Sequence, residues 1–166
     1  MEFKKEFYSS LAVWLFIILL SFGLYFQNLR ARDFWEPDEP RFAEVVREMQ
    51  FRQDYLFPTV NLQPYPNKPP LYYWMAALFS RDQVNEVSAR LPSALAGLGG
   101  LMVIYLLGTL LFHRGVGFIA ALALAVNGRY LWQSQYVQMD MMLAFLCYFL
   151  SICFFWVGKK NGNSPF

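Results

Sequence analysis

Four long apolar stretches constrain the fold of this chain more than any other feature of its sequence. A helix needs roughly 20 mainly apolar residues to cross the hydrocarbon core of a bilayer. Apolar residues make up 57% of the 166 residues and charged residues only 16%. We therefore predict an all-α integral membrane protein with four transmembrane helices. The stretches are residues 8–29, 91–112, 116–132 and 141–157.

The first apolar stretch follows two lysines, Lys4 and Lys5. A cleaved signal peptide also starts with basic residues, but its apolar core is shorter and ends at a cleavage site of small residues. This stretch is longer and has no such site. We interpret residues 1–29 as a cytoplasmic start and an uncleaved first transmembrane helix.

Basic residues at the ends of the spans predict the orientation, because Lys and Arg are enriched on the cytoplasmic side. If the N-terminus is cytoplasmic, four spans return the C-terminal residues 159–166 to the cytoplasm, and Arg114 between spans two and three lies there too. The long loop of residues 30–88 is then outside, and residues 89–158 hold spans two to four. The net charge of only +2 gives no support for a nucleic-acid partner.

The second span is predicted to begin with Ser88 as a helix cap and with Pro92 in the first helical turn, where proline is tolerated. Arg90 is expected to anchor the outer end of this span at the interface. Arg129, near the end of the third span, can reach the same outer interface.

The long loop contains one amphipathic helix, because four apolar residues have the helical spacing i, i+3, i+4, i+7. Glu48 and Arg52 are expected to form an i, i+4 ion pair on it. A helix of this kind beside membrane spans is expected to lie in the interface plane. The four residues are Phe42, Val45, Val46 and Met49.

Five prolines between residues 58 and 70 predict an irregular crossing without regular structure. Residues 71–79 are apolar but too short to span a bilayer, which favours a second interfacial helix. Its aromatic residues suit the belt of aromatic side chains at a membrane surface. These residues are Tyr72, Tyr73 and Trp74.

Asp38 and Glu39 stand between Pro37 and Pro40 at the predicted start of the amphipathic helix. Proline fits the first turn of a helix, and the helix dipole favours carboxylates there. A purely structural interpretation, in which the pair caps the helix, is open on these residues alone.

Asp140 and Lys68 are the other charged residues that we single out. Asp140 begins the fourth span, where it is either a helix cap or a functional ionisable residue at the membrane edge. Lys68 precedes the second interfacial helix and could equally be a snorkelling cation. Cys147, Cys153 and the single His113 match no metal or redox signature, so no metal ligands are predicted.

Four strings of the sequence resemble the N-terminal part of polytopic GT-C glycosyltransferases. They are WEPDEPRFAEVVREM, PYPNKPPLYYW, SARLPSAL and the pair MD before an apolar helix. The resemblance covers nearly the whole chain and is nearest to the glycosyltransferase 39/83 type, the aminoarabinose (lipid A) transferases and their protein O-mannosyltransferase-like relatives.

The resemblance implies an inverting transfer of a sugar from a polyprenyl-phosphate donor to a lipid, protein or glycan acceptor. The reaction is expected at the outer face of the bacterial inner membrane. Asp38 matches the acidic residue that serves as catalytic base or as electrostatic partner of the acceptor, and the adjacent Glu39 is also predicted to be catalytic. The substrate-binding residues implied are Arg41, Tyr65 and Lys68 near the donor phosphate, Tyr72 against a sugar or isoprenoid, and Asp140 as the second acidic position.

Two positions depart from the aminoarabinose branch. Asn67 stands where that branch usually has a Glu, the candidate metal ligand of the family, which argues against a carboxylate-bound divalent ion and leaves metal dependence open. Phe42 stands where a Tyr is frequent, which removes one hydroxyl. Both departures favour a general family-39-like relative.

The length predicts a portion of a larger enzyme, because family members have several hundred residues and many more spans. Alone, such a portion is expected to be inactive. The alternative is a non-catalytic membrane module that binds polyprenyl phosphate or a partner subunit. A channel or transporter that uses Asp140 and Arg129 is the weakest reading, since neither residue is near the middle of a span.

Overall fold

The computed structural model describes residues 2–81 and 83–160, with side chains from residue 11 to residue 158. The side chains of the flanking lysines and the tail residues 161–166, on which part of the predicted orientation rests, lie outside this description. The elements, in chain order, are α1 Glu2–Ser21, which continues as a π-helical turn Phe22–Phe26, then α2 Asp38–Arg52, β1 Thr59–Val60, β2 Gln63–Pro64, α3 Leu71–Ser80, α4 Glu86–Leu111, α5 Arg114–Ala125, α6 Gly128–Ser134 and α7 Met139–Lys160.

Two of the described helices, α4 and α7, are long and apolar enough to cross a membrane. The pair α5 and α6 would add a third span if it crosses as one broken helix. The described apolar part of the first helix, Leu11–Phe26, is shorter than these. An integral membrane protein is thus supported, whereas the predicted count of four spans is not confirmed.

The third apolar stretch is broken, contrary to the prediction of one continuous helix. Helices α5 and α6 meet at an angle of 69°. The side chain of Asn127 accepts a hydrogen bond from the Tyr130 N–H at 3.1 Å and so caps a new helix. Because the cap satisfies an N–H group that would be unpaired at a helix start, it stabilises the break.

Helix α4 is the central element of the membrane part, and it packs against α1, α5, α6 and α7. Its backbone comes close to that of α5, where a Cβ atom on Gly108 would lie only 2.7 Å from the Gly117 Cα. Small residues allow helices in membranes to pack backbone against backbone. The two glycines therefore hold α4 and α5 together as a tight hairpin.

Helix α4 begins earlier than predicted. Asn85 is its cap, and it exchanges hydrogen bonds with Ser88 in a capping box. Ser88 is thus the third residue of the helix rather than its cap, and Pro92 lies inside the helix rather than in its first turn. Both predictions were wrong by about one turn, because Asn85 provides the stronger start signal.

The amphipathic face of α2 is confirmed. Its four predicted apolar residues are buried and form one core with residues of α3, including Tyr72, Tyr73 and Ala76. Helix α3 in turn packs against the first turns of α4. The loop is therefore a folded unit attached to the start of α4.

A short antiparallel hairpin, β1 and β2, lies in the region predicted to have no regular structure. Its turn residues Asn61 and Leu62 have positive φ angles of 52° and 63°. The Leu62 N–H donates to the Glu48 carboxylate at 3.1 Å, and the Thr59 hydroxyl donates to it as well. Glu48 is thus bound by the hairpin, and the predicted ion pair with Arg52 is replaced by these contacts.

Candidate active site at the start of helix α2

Asp38 is the first residue of α2, and its carboxylate is exposed. Pro37 precedes the helix and forms no side-chain capping hydrogen bond. Pro40 lies in the first turn, as predicted. The Asp38 Oδ1 atom is 3.7 Å from the Arg41 Nη1 atom, and the two side chains are 56% and 42% exposed. The carboxylate therefore has one neighbouring cation and remains open to a substrate.

Glu39, in contrast, is buried and fully hydrogen-bonded. Its oxygens accept from the Arg90 Nε at 3.0 Å, the Arg90 Nη2 at 2.6 Å, the Trp35 N–H at 2.8 Å and the Val137 N–H at 2.8 Å. A carboxylate with this many donors has no free position for a substrate proton. This geometry argues against the prediction that Glu39 is catalytic and favours a structural role for it.

Arg90 is buried rather than an anchor at the interface, which corrects a second prediction. Besides Glu39, it donates to the carbonyl oxygens of Leu29, Arg32 and Asp33 at 2.8 to 2.9 Å. All of its guanidinium nitrogens are thereby used. The pair connects the end of the first helix, α2, α4 and the segment before α7, and it fixes the position of the adjacent Asp38.

Tyr72 is also buried, with its hydroxyl 2.9 Å from the Ala89 carbonyl oxygen and 2.8 Å from the Ser93 hydroxyl. Burial raises the pKa of Tyr72 well above its usual value. A hydroxyl that is bound to α4 in this way is not presented to a ligand. The geometry thus argues against the prediction that Tyr72 binds substrate.

Tyr73, its neighbour, has a buried hydroxyl with no hydrogen-bond partner among the described residues. Its ring lies 6.2 Å from the Phe42 ring, and burial raises its pKa. Arg41 lowers the pKa of Tyr73 and Tyr65 raises it, so both side chains lie within electrostatic reach. Sequence reasoning placed Tyr73 only in the aromatic belt, and its unpaired hydroxyl has no sequence signal.

Of the predicted phosphate-binding residues, Tyr65 and Lys68 lie in the segment between β2 and α3. Tyr65 is half-buried, and its N–H donates to the Pro58 carbonyl at 2.8 Å. Lys68 and Asn67 are exposed in the turn before α3. Within the described ranges, no group of three or more His, Cys, Asp or Glu side chains could hold a metal ion.

Asp140 is exposed in the first turn of α7. The segment before it is attached to the loop, because the Val137 N–H binds Glu39 and the Gln138 N–H binds the Ser93 hydroxyl at 3.1 Å. Asp140 therefore lies only three residues after Val137, the residue that contacts Glu39. The structure brings the start of α7 and the start of α2 to the same end of the molecule.

This arrangement, an apolar helical bundle with exposed acidic and basic side chains at one end, suits the class of membrane enzymes that act on lipid-borne anionic substrates. Residues 9–166 match the family described as dolichyl-phosphate-mannose-protein mannosyltransferase. Because the match covers nearly all of the chain, the protein belongs to this family of glycosyltransferases.

Individual relatives share part of the chain. An undecaprenyl phosphate-alpha-4-amino-4-deoxy-L-arabinose arabinosyl transferase of Shewanella sediminis is 37% identical over 63% of the chain and 18% of its own length. The enzyme of that name from Pseudomonas paraeruginosa is 30% identical over 89% of the chain and 27% of its own length. The chain therefore spans about a fifth to a quarter of these relatives.

A solved structure has the same fold. The crystal structure of ArnT from Cupriavidus metallidurans bound to undecaprenyl phosphate matches with a TM-score of 0.75 and 27% identity. The match covers 81% of this chain and 25% of that one. The resemblance to the GT-C fold is thereby confirmed for this portion.

Proposed function

We propose that this chain contributes to an inverting glycosyltransferase, which moves a sugar from a polyprenyl-phosphate donor to an acceptor at the outer face of the inner membrane. The observation that carries the proposal is the exposed Asp38 carboxylate, held in place by its buried neighbour in a chain of this family. The donor lipid named for the relatives is undecaprenyl phosphate. The acceptor is a lipid, a protein or a glycan.

Asp38 would act as the base. It accepts the proton of an attacking acceptor oxygen, which forms a bond to the anomeric carbon of the sugar while the bond from that carbon to the phosphate oxygen breaks. Attack opposite the leaving group inverts the anomeric centre. Asp38 can take this role because it is exposed, and base catalysis of this kind typically contributes 10²- to 10⁴-fold.

The departing phosphate gains negative charge and needs cations. Arg41 and Lys68 would supply them, since charge-assisted hydrogen bonds to phosphate are among the strongest that proteins make. Tyr65, which packs against the core between α2 and α3, would add a hydroxyl donor. Asp140, at the start of α7, would be the second acidic residue near the acceptor.

The test is the Asp38→Asn variant in a transfer assay with an undecaprenyl-phosphate sugar donor, performed on the full-length protein in native membranes. Loss of the base should lower kcat at least about 100-fold with little change in donor binding. Glu44→Gln is the matched control, because Glu44 also pairs with an arginine at i+3 on α2, at Arg47. Wild-type turnover in Asp38→Asn would exclude the catalytic role. Donor binding without turnover in the wild type would instead favour a non-catalytic module.

A further inference from the structure

Two adjacent tyrosines of α3 are both buried, but only one of them has a hydrogen-bonded hydroxyl. The Tyr72 hydroxyl is 2.9 Å from the Ala89 carbonyl oxygen and 2.8 Å from the Ser93 hydroxyl. Tyr73 is 0% exposed, and its hydroxyl has no partner in the described part of the chain. Because a buried hydroxyl without a partner costs free energy, its presence calls for an explanation.

Packing of the Tyr73 ring does not explain the hydroxyl. The ring lies 6.2 Å from the Phe42 ring, and Tyr73 belongs to the core that joins α2 to α3. A phenylalanine would fill the same space and make the same apolar contacts, because the two side chains differ only in the polar atom. The hydroxyl is therefore a feature that the core itself does not require.

Arg41 lies at the edge of the α2 face that covers Tyr73. It precedes Phe42 and stands one helical turn before Val45, and residues i and i+4 lie on the same side of a helix. Phe42 and Val45 belong to the same core as Tyr73. Arg41 also lowers the pKa of Tyr73, so the guanidinium is within electrostatic reach of the hydroxyl.

The Arg41 guanidinium has N–H groups that are not in use. Its Nη1 atom is 3.7 Å from the Asp38 Oδ1 atom, which is longer than a hydrogen bond. Arginine has five N–H donors and no acceptor, whereas a tyrosine oxygen can accept. The free donors of Arg41 and the free acceptor of Tyr73 are thus chemically complementary.

We propose that Tyr73 is a positioning residue for Arg41, whose guanidinium donates a hydrogen bond to the Tyr73 hydroxyl when the donor phosphate is bound. This inference rests on the proposed function, because Arg41 is one of the proposed phosphate-binding residues. The hydrogen bond holds Arg41 toward α3 and the segment before it, which carries Tyr65 and Lys68. The Asp38 carboxylate then has no close cation and is open to the proton of the acceptor.

The experiment is a double-mutant cycle of Tyr73→Phe and Arg41→Met, with the affinity of the full-length protein in nanodiscs for undecaprenyl phosphate as the readout. In the wild-type background, Tyr73→Phe should weaken binding about threefold to fivefold, which is at the low end of the coupling energies of residues in contact. In the Arg41→Met background it should have no effect, because the residue that it positions is absent. A tyrosine with a purely structural role would not show this dependence on Arg41.

Tyr72→Phe is the matched control, because it removes the hydroxyl that does have partners. It should lower the melting temperature, since the Ser93 hydroxyl and the Ala89 carbonyl lose a hydrogen bond. It should leave the affinity for undecaprenyl phosphate unchanged in both backgrounds. Tyr73→Phe, in contrast, should leave the melting temperature unchanged or raise it, because the hydroxyl that it removes has no described partner.

Three results would overturn the inference while the loss of transfer in Asp38→Asn still supported the proposed function. The first is wild-type affinity in Tyr73→Phe. The second is equal weakening by Tyr73→Phe in both backgrounds, which would show that the hydroxyl does not act through Arg41. The third is a drop in melting temperature as large as that of Tyr72→Phe, which would identify a structural hydrogen bond. A wild type that does not bind undecaprenyl phosphate would contradict the proposed function and, with it, the positioning role.

Discussion

Each side of the first turn of α2 has a carboxylate paired with an arginine, but the two pairs have different roles. On the exposed side, Asp38 and Arg41 are 3.7 Å apart and about half exposed. On the buried side, Glu39 and Arg90 are 2.6 Å apart, and each is less than 5% exposed. The exposed pair leaves its carboxylate open, whereas the buried pair saturates every polar atom.

The difference shows how adjacent residues can separate structure from chemistry. An exposed ion pair contributes little to stability, about 0 to 1 kcal/mol, because water screens it. Removing one partner from a buried pair costs about 3 to 5 kcal/mol, since the other charge is left without compensation. The buried pair can therefore fix the helix start while the exposed pair remains free to exchange partners with a substrate.

The largest effect is expected in chemical labelling, because a residue on the exposed side of α2 either reacts with a reagent outside the cell or does not. In a background with Cys147→Ser and Cys153→Ser, an Asp38→Cys variant should react with a membrane-impermeant thiol reagent in intact spheroplasts. The control is Phe112→Cys, at the turn between α4 and α5, which the predicted orientation places in the cytoplasm and which should react only after lysis. Reaction of position 38 only after lysis would reverse the proposed orientation and rule out an outer site.

The next effect concerns the buried side. Arg90→Met leaves the Glu39 charge buried without a partner and should lower the free energy of unfolding by about 3 to 5 kcal/mol. Tryptophan fluorescence, recorded while the protein unfolds in detergent, measures this change in the free energy of unfolding. Adding Glu39→Gln to Arg90→Met should recover part of the loss, because the unpaired charge is then removed. A cost no greater than that of Arg47→Met, in an exposed pair of the same helix, would show that the burial has no energetic consequence.

The smallest effect on stability is expected for the exposed side. Arg41→Met should change the free energy of unfolding by less than about 1 kcal/mol, yet it should weaken binding of undecaprenyl phosphate roughly tenfold, because a phosphate contact is lost. Titration of the lipid into the protein in nanodiscs measures the affinity. Arg47→Met should leave that affinity unchanged. A large loss of stability together with intact lipid binding would reverse the roles assigned to the two pairs.

The sequence predicted those parts of the fold that depend on local periodicity. The spacing of Phe42, Val45, Val46 and Met49 identified the buried face of α2, because only one helical face can meet a core. Apolar length identified α4 and α7 as membrane-spanning candidates. These signals are contained in the segment itself, so no distant partner was needed to interpret them.

The parts that the sequence did not predict depend on distant partners. Asp38 and Glu39 are chemically similar neighbours, and only Arg90, 51 residues away, decides which of them is buried. Glu48 is bound by a hairpin whose turn has positive φ angles at non-glycine residues, which carry weak sequence signals. The break at Asn127 had a local signal, an asparagine before a glycine, but the apolar run around it favoured one continuous span.

The contacts of Glu39 also set an order for biosynthesis. Its carboxylate receives hydrogen bonds from Arg90 and from Val137, which lies 98 residues further along the chain. The ribosome must therefore have synthesised α4, α5 and α6 before the segment of residues 30–88 can reach its final arrangement. Until then the Glu39 carboxylate lacks the Val137 N–H, so the contacts that fix Asp38 beside it are complete only after the third apolar stretch has been made.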